Sequence, residues 1–241
     1  MYKNYRFDLY GTLADIHTDE GDPELWAKTA AFYSDHGADY TAEELQKNYC
    51  SFVDEEKNVI HSAHPEYKYI DIKIEKVFKK LYTSKGVSAS DETVLETALF
   101  FRRASREYIR LYDGIAELLD DIKAGGGSVY LLTNAQRAFT WDELGILGIR
   151  DKFDGIVISS DEECCKPDPH FYKALLDRYS LEPSETIMVG NDPTADIKGG
   201  LNVGLDTLYI HTNISPEINP NSGATYFIPD GNTLGMREYL L

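Results

Sequence analysis

From about residue 112 onward, short apolar runs alternate with segments of helical spacing, and this alternation limits the possible folds more than any other feature. Five of the runs have the composition of buried strands, namely 128–134, 153–160, 185–191, 206–212 and 224–229. Helical patterns precede or separate the first four runs, at 114–126, 136–148, 168–180 and 193–203. Near-continuous apolar strands joined through helices are typical of a parallel sheet that is covered on both faces.

Residues 14–111 have a different pattern. Four helices are predicted there, and no strand is predicted between them; the helices are expected at 22–37, 41–58, 71–86 and 90–112. A first strand is predicted ahead of this segment, at about residues 4–9. The sequence therefore predicts an α/β protein with a Rossmann-like parallel sheet and helices on both faces, formed by residues 1–13 and 112–241. Residues 14–111 are predicted to be an inserted helical cap domain.

Composition excludes several classes of partner. The chain has 241 residues and a formal net charge of −17, so the phosphate backbone of a nucleic acid is repelled. No apolar run approaches the roughly 20 residues of a membrane span, and the N-terminal residues lack the apolar stretch of a secretory signal. We expect a cytoplasmic protein with no membrane partner, either a monomer or a homodimer. The three cysteines, Cys50, Cys164 and Cys165, have neither disulfide-framework nor zinc spacing.

Polar side chains follow the predicted core strands, where ligands bind in open parallel sheets. In chain order they are Asp8, Gly11 and Thr12, then Thr133 and Asn134, then Lys166, then Asn191, Asp192 and Asp196. Because the carboxyl ends of parallel strands meet at one edge, we expect these groups to converge. Gly11 is expected to supply turn geometry, and Thr12 to bond to Asp8 or to cap the turn.

These residue types together indicate phosphoryl chemistry. A carboxylate such as Asp8 can act as a covalent nucleophile. Neighbouring carboxylates require a cation, and oxygen ligands suit Mg²⁺. An ammonium group and a hydroxyl group can hold a phosphoryl group and its developing charge. We therefore expect Gly11, Thr12, Thr133, Asn134 and Lys166 to surround the substrate.

Four motifs, "FDLYGTL", "LLTN", "KPDP" and "VGNDPTAD", stand in this order along most of the chain. Their residues and order resemble those of the haloacid dehalogenase-like (HAD) hydrolase superfamily, and the position of the helical insert resembles its type 1 capped branch. The resemblance implies that Asp8 is the nucleophile and forms a covalent aspartyl intermediate. It also implies that Thr133 and Lys166 hold the phosphoryl oxygens.

The resemblance further implies a magnesium site. Mg²⁺ is expected to bind Asp8, the backbone carbonyl of Tyr10 and Asp192. Asp196 is expected to support this site or to orient Lys166. Asn191 stays open as an alternative to Asp192, because either residue can be paired with the acid that relatives carry at this place.

Tyr10 departs from the phosphatase pattern. Phosphatases of the superfamily usually carry a second aspartate there, which protonates the leaving alcohol, whereas Asp-x-Tyr-Gly-Thr also occurs in its 2-haloacid dehalogenases. Those dehalogenases bind the substrate carboxylate with an arginine early in the cap, and this chain has no arginine between Arg6 and Arg102.

The resemblance favours a Mg²⁺-dependent phosphatase that acts on a small phosphorylated metabolite. In such a phosphatase, Tyr10 has one of two roles: it donates a proton or a hydrogen bond, or it forms a wall of the pocket. A 2-haloacid dehalogenase and a non-catalytic binding module of the same fold are the alternatives.

Overall fold

The computed structural model describes residues 2–241. The strands in this range are β1 Asn4–Phe7, β2 Ala14–Thr18, β3 Arg106–Leu111, β4 Ser128–Thr133, β5 Gly155–Ile158, β6 Thr186–Gly190, β7 Asp206–Ile210 and β8 Tyr226–Ile228. The α-helices are α1 Pro23–Asp35, α2 Ala42–Ala63, α3 Ile74–Ser84, α4 Asp91–Ser105, α5 Ile115–Ala124, α6 Arg137–Ile146, α7 Ser159–Glu162, α8 Pro169–Tyr179, α9 Gly199–Asn202 and α10 Arg237–Leu240. None of the helices described is both long enough and apolar enough to cross a membrane.

Six strands form one parallel sheet in the order β5-β4-β1-β6-β7-β8. β1 lies near the middle, with Phe7 paired to Leu131 of β4 and to Val189 of β6. From β1 the chain builds outward on one side through β4 and β5, and then returns to build the other side from β6. Such a reversal leaves a crevice beyond the carboxyl ends of the two strands that flank it, here β1 and β6.

Both faces of this sheet are covered, because successive strand residues point to opposite sides. One apolar cluster contains Phe7, Leu119 and Val189. A second cluster, on the other face, contains Phe171 and Met188. The predicted α/β fold with a Rossmann-like parallel sheet is therefore confirmed, and the predicted core strands differ from the observed ones only at their ends.

The helices α1 to α4 share an apolar cluster of their own. It includes Trp26, Tyr33, Phe78 and Phe101, and the part of the chain beyond residue 111 contributes only Ala138 and Phe139 of α6. This separate cluster agrees with an inserted helical unit, and we retain 14–111 as the proposed extent of the cap.

The prediction that residues 14–111 contain no strand was wrong. β2 and β3 pair antiparallel where the chain enters and leaves the helical segment, with Ala14 opposite Leu111. The helix predicted over 90–112 accordingly ends at Ser105. The sequence "REYIRL" has a mixed polar and apolar pattern that also suits a helix, and only the distant partner β2 selects the strand.

The 67–71 segment, which joins α2 to α3, is fixed to the loop that carries Lys166. Asp168 is 1% exposed, and its Oδ2 accepts the backbone N–H groups of Lys68 at 2.7 Å and Tyr69 at 3.2 Å. Its Oδ1 accepts the N–H of His170 at 3.0 Å, at the start of α8. One buried carboxylate therefore caps a core helix and anchors the helical segment.

Replacing Asp168 with Asn is expected to lower the free energy of unfolding by about 1–3 kcal/mol, the usual cost of unsatisfied buried polar groups. The amide has one oxygen, so its NH₂ group must face one of the two sets of N–H donors. Urea denaturation measures the loss. The matched control is Asp151→Asn, at a side chain that is 98% exposed; equal midpoints for the two variants would contradict the anchoring role.

Candidate active site

Asp8 lies at the crevice between β1 and β6. Its N–H donates to the carbonyl of Val189 at 3.0 Å, one position beyond the end of β1, and the residue is 7% exposed. The chain then turns sharply, because the carbonyl of Leu9 accepts the N–H groups of Thr12, Leu13 and Ala14. The central strand thus ends in a tight turn that starts at the carboxylate.

Gly11 is required by this turn. Its φ is +86°, and a Cβ at this position would lie 2.1 Å from Nδ2 of Asn191. The hydroxyl of Thr212, after β7, donates to the Gly11 carbonyl at 2.7 Å. The predicted turn geometry is confirmed, and the absence of a side chain lets Asn191 approach the backbone.

Lys166 connects two carboxylates at the bottom of the crevice. Its Nζ lies 2.6 Å from Oδ1 of Asp8 and 2.7 Å from Oδ1 of Asp196, and Lys166 and Asp196 are 3% and 1% exposed. Burial by itself lowers the pKa of Lys166, but the Asp196 and Asp8 carboxylates outweigh it and hold this pKa above its ordinary value. Burial raises the pKa of Asp196, although the ammonium opposes this shift. The three charged groups form one buried unit.

Asn134 fixes the backbone of Lys166. Its Oδ1 accepts the Lys166 N–H at 2.8 Å, and its Nδ2 donates to the Lys166 carbonyl at 3.0 Å. Both polar ends of the side chain are therefore engaged within the protein. The structure gives Asn134 a positioning contact where the sequence predicts a substrate contact.

Thr133, at the end of β4, has unused hydrogen-bonding capacity. It is fully buried, and its hydroxyl has no hydrogen-bond partner among residues 2–241. β4 is the neighbour of β1, so Thr133 lies at the same sheet edge as Asp8. A buried hydroxyl without a partner costs free energy unless a ligand or water satisfies it. Thr133 is thus suited to bind an anionic oxygen.

The side chain of Asp192 is directed at the backbone. Its Oδ1 accepts the N–H groups of Thr194 at 2.7 Å and Ala195 at 2.8 Å, and so it caps the π-helix Pro193–Lys198. The motif predicts Asp192 as a metal ligand, and in this structure one oxygen of its carboxylate, Oδ1, is engaged in the cap.

Asn191 instead lies against the turn that follows Asp8. The hydroxyl of Thr12 is 3.4 Å from Oδ2 of Asp8 and 3.4 Å from Oδ1 of Asn191, so these two oxygens face the same place. The Nδ2 of Asn191 donates to the hydroxyl of Ser215 at 3.2 Å. This contact leaves Oδ1 as the end of the amide that points toward Asp8.

The donor set suits a hard cation with few protein ligands. No group of three or more His, Cys, Asp or Glu side chains within residues 2–241 is arranged to hold a metal. Oxygen donors are nevertheless present in Asp8 Oδ2, Asn191 Oδ1 and the Tyr10 carbonyl, which accepts no hydrogen bond from the described part of the chain. Mg²⁺ is often held by one or two carboxylates, with waters and substrate phosphates completing its shell. These residues fit that pattern.

The phenol of Tyr10 points into the contact between α6 and the helical segment. Its hydroxyl donates to Oε2 of Glu143 in a short hydrogen bond and lies 3.2 Å from the hydroxyl of Thr140. Burial and then the Glu143 charge raise the pKa of Tyr10 above its ordinary value. Both the hydrogen bond and the raised pKa oppose the proton-donor role that the sequence leaves open.

Two sets of site residues were missed by the sequence analysis. Thr212 and Ser215 follow β7, and the rule that ligand-binding groups follow strand ends could have found them. Glu143 shares the buried face of α6 with Phe139 and Thr140, and an acid at this helical spacing was the available signal.

Comparisons with known proteins identify the family of this chain. A family profile described as haloacid dehalogenase-like hydrolase matches residues 2–204. The chain is 28% identical to the phosphoserine phosphatase of Thermus thermophilus over 167 residues, which are 69% of this chain and 64% of that protein. It is 32% identical to the pyrophosphatase PpaX of Bacillus velezensis over 127 residues, which are 52% of this chain and 58% of that protein. The matches therefore span less than two thirds of these two relatives.

A solved structure extends the comparison to the whole fold. The 2-haloacid dehalogenase of Pseudomonas syringae pv. Tomato superimposes with a TM-score of 0.66 at 20% identity, over 100% of this chain and 98% of that one. At this identity the likeness concerns the fold alone. Because the family profile matches from before β1 to beyond Asp196 and so covers most of the chain, this protein belongs to the haloacid dehalogenase-like hydrolases.

Proposed function

We propose that this hydrolase is a Mg²⁺-dependent phosphatase that acts on a small phosphorylated metabolite in the cytoplasm, with Asp8 as its nucleophile. The observation that carries the proposal is the Lys166 ammonium, which binds both Asp8 and Asp196 at the carboxyl edge of the sheet. The buried, unpartnered hydroxyl of Thr133 at the same edge supports it. The names of the phosphoserine phosphatase and pyrophosphatase relatives support the same class of reaction.

In this mechanism, a carboxylate oxygen of Asp8 attacks phosphorus while the bond from phosphorus to the leaving oxygen breaks. The leaving group keeps the electron pair, and the phosphoryl group becomes bonded to Asp8. Lys166 fixes the plane of the Asp8 carboxylate, and Lys166 and Thr133 hold phosphoryl oxygens. Water then attacks the phosphorus of the aspartyl phosphate, which releases inorganic phosphate and restores Asp8.

Charge explains why a cation is needed. Asp8 and Asp196 carry two negative charges against one positive charge on Lys166, and the incoming phosphate is also an anion. A bound Mg²⁺ would neutralise phosphoryl charge and reduce its repulsion from the carboxylate.

Asp8, the Tyr10 carbonyl and Asn191 would hold this ion. Asp192, the ligand that the motif implies, has its Oδ1 bonded to the two N–H groups that it caps.

Halide displacement from a 2-haloacid is a second candidate. The neutral amide of Asn191 beside Asp8 favours it, because such a reaction needs neither a metal nor a proton donor. The need for a cation that binds the substrate carboxylate argues against it, since Arg102 and Arg106 are both bonded to Glu143. We therefore propose the phosphatase first.

Asp8→Asn is expected to lower the rate of phosphate release by about 10³-fold or more, because the variant lacks the covalent nucleophile. Phosphate release is measured on a panel of phosphorylated metabolites with Mg²⁺, and trapped aspartyl phosphate is measured by intact mass. Asp151→Asn serves as the control, and circular dichroism verifies that both variants fold.

Three outcomes would contradict the phosphatase proposal. Full activity of Asp8→Asn would show that Asp8 is not the nucleophile. Chloride release from a 2-chloroacid without metal supports the dehalogenase. No turnover and no adduct with any substrate supports a non-catalytic binding module.

Asn191→Asp is expected to lower the Mg²⁺ dissociation constant about tenfold, because affinity for hard cations rises with the number of charged ligands. Asp192→Asn is the matched variant. It keeps an oxygen that can cap Thr194 and Ala195, so we expect its Mg²⁺ affinity to stay within about twofold of the parent. Calorimetric titration with MgCl₂ measures both values. Weaker binding by Asp192→Asn and no gain from Asn191→Asp would instead make Asp192 the ligand.

A further inference from the structure

Three separate parts of the chain meet at the buried carboxylate of Glu143: the turn of Tyr10, the junction of α4 and β3, and α6 itself. Tyr10 donates its hydroxyl proton to Oε2, while Arg102 of α4 and Arg106 of β3 bind Oε1 at 2.8 Å and 2.9 Å. Glu143 is completely buried, and each arginine side chain is 12% exposed. We call Tyr10, Arg102, Arg106 and Glu143 the Tyr10 cluster.

The Tyr10 cluster determines where the phenolic proton goes. A phenol has one proton to donate, and here the acceptor is a carboxylate that two arginines also bind. Thr140, the other partner of the hydroxyl, also belongs to α6. The position that carries the proton-donating acid in related phosphatases is therefore occupied by a group whose proton is bound elsewhere.

Asp196 and Lys166, the charged residues linked to Asp8, do not replace that acid. Asp196 accepts hydrogen bonds at both oxygens, from Lys166 at Oδ1 and from the Asp192 N–H at Oδ2, as a carboxylate without a proton does. Lys166 gives two of its three N–H bonds to Asp8 and Asp196. In the mechanism proposed above, the third N–H of Lys166 binds a phosphoryl oxygen, so neither residue supplies a proton to the leaving oxygen.

We propose that the substrates of this enzyme are phosphates whose leaving group departs as a stable anion, with acyl phosphates first and aryl phosphates next, and that Glu143 is the positioning residue that enforces this preference by holding Tyr10. The proposal rests on the phosphatase function proposed above. The bond from phosphorus to the leaving oxygen breaks, its electron pair stays on that oxygen, and the phosphoryl group passes to Asp8. A carboxylate or a phenolate tolerates this charge, since carboxyl groups ionise near pKa 4 and phenols near pKa 10. An alkoxide does not.

A series of leaving groups tests the proposal on the full-length protein with Mg²⁺. The substrates are acetyl phosphate, 4-nitrophenyl phosphate, phenyl phosphate and glycerol 3-phosphate, and the measured quantity is kcat/KM. We expect kcat/KM to fall steeply as the leaving group becomes more basic. General acid catalysis typically accelerates a reaction by about 10²–10⁴-fold. We therefore expect kcat/KM for glycerol 3-phosphate to be lower than that for acetyl phosphate by at least about 10²-fold.

Variants of Tyr10 separate the chemical role from a structural one. Tyr10→Asp restores a carboxylic acid and is expected to accelerate glycerol 3-phosphate hydrolysis by about 10²–10⁴-fold relative to acetyl phosphate. Tyr10→Phe keeps the ring and removes the hydroxyl, and it is expected to change kcat/KM for all four substrates by the same factor. A selective loss on the alkyl phosphate in Tyr10→Phe would mean that the phenol is the acid, which overturns the proposal.

Glu143→Gln tests the positioning role. If Glu143 directs the Tyr10 proton, this variant lowers the ratio of kcat/KM for the aryl phosphates to kcat/KM for glycerol 3-phosphate. Loss of structure alone lowers both kcat/KM values together and leaves their ratio unchanged. If Glu143→Gln does not fold, the Tyr10 variants still decide whether the phenol acts as the acid. Similar kcat/KM values for all four substrates in the parent would overturn this inference and leave the phosphatase standing. No turnover of any of them, acetyl phosphate included, would overturn the phosphatase itself.

Discussion

The buried contact of Lys166 with Asp8 and Asp196 is the interaction on which the rest of the site depends. Two carboxylates at one sheet edge repel each other, and in a poorly solvated crevice that repulsion is only weakly screened. The ammonium at 2.6 Å and 2.7 Å turns the repulsion into attraction. It also joins three distant stretches of the chain, which follow β1, β5 and β6. Removing one charged partner of a buried pair typically lowers the free energy of unfolding by about 3–5 kcal/mol, so each of the three residues depends on the other two.

Several neighbouring contacts exist to keep that ammonium in place. Asn134, which follows β4, bonds to the backbone of Lys166. Asp168, two residues after Lys166, accepts a hydrogen bond from the 67–71 segment and so links it to the same loop. On the opposite side, Thr212 holds the Gly11 carbonyl and thereby the turn after Asp8. Asp8 and Lys166 are thus held by side chains that bond to the backbone near each of them. Geometry of this kind, set before substrate arrives, is what electrostatic catalysis requires.

The sequence predicted the fold well because strands buried on both faces must be almost wholly apolar, and helices between them must keep their spacing. It predicted the site at the level of strand ends, since Asp8, Thr133 and Lys166 follow directly from the topology. It could not predict which way a side chain turns. Asp192 and Asn191 are adjacent, and the choice between them depends on which one caps the next helix.

Contacts between distant residues limited the sequence analysis in the same way. The strand β3 is selected by β2, about ninety positions earlier, and Tyr10 meets Glu143 across 133 positions. Neither pairing leaves a local pattern. Nothing near Arg102 in the sequence indicates the buried acid to which it is bonded.

The change from an acid to a phenol at position 10 has consequences beyond the site. A buried hydroxyl needs a partner, and the partner here is Glu143, whose own charge must be balanced inside the protein. Arg102 and Arg106 supply positive charge from α4 and β3, so the helical segment is joined to the core at the partner of Tyr10, two positions from Asp8. In the proposed mechanism, the hydrogen bond from Tyr10 to Glu143 therefore links substrate chemistry to the attachment of the helical segment. An acid introduced at position 10 alone leaves Glu143 without its phenolic donor, and the contact between core and helices must adjust along with the chemistry.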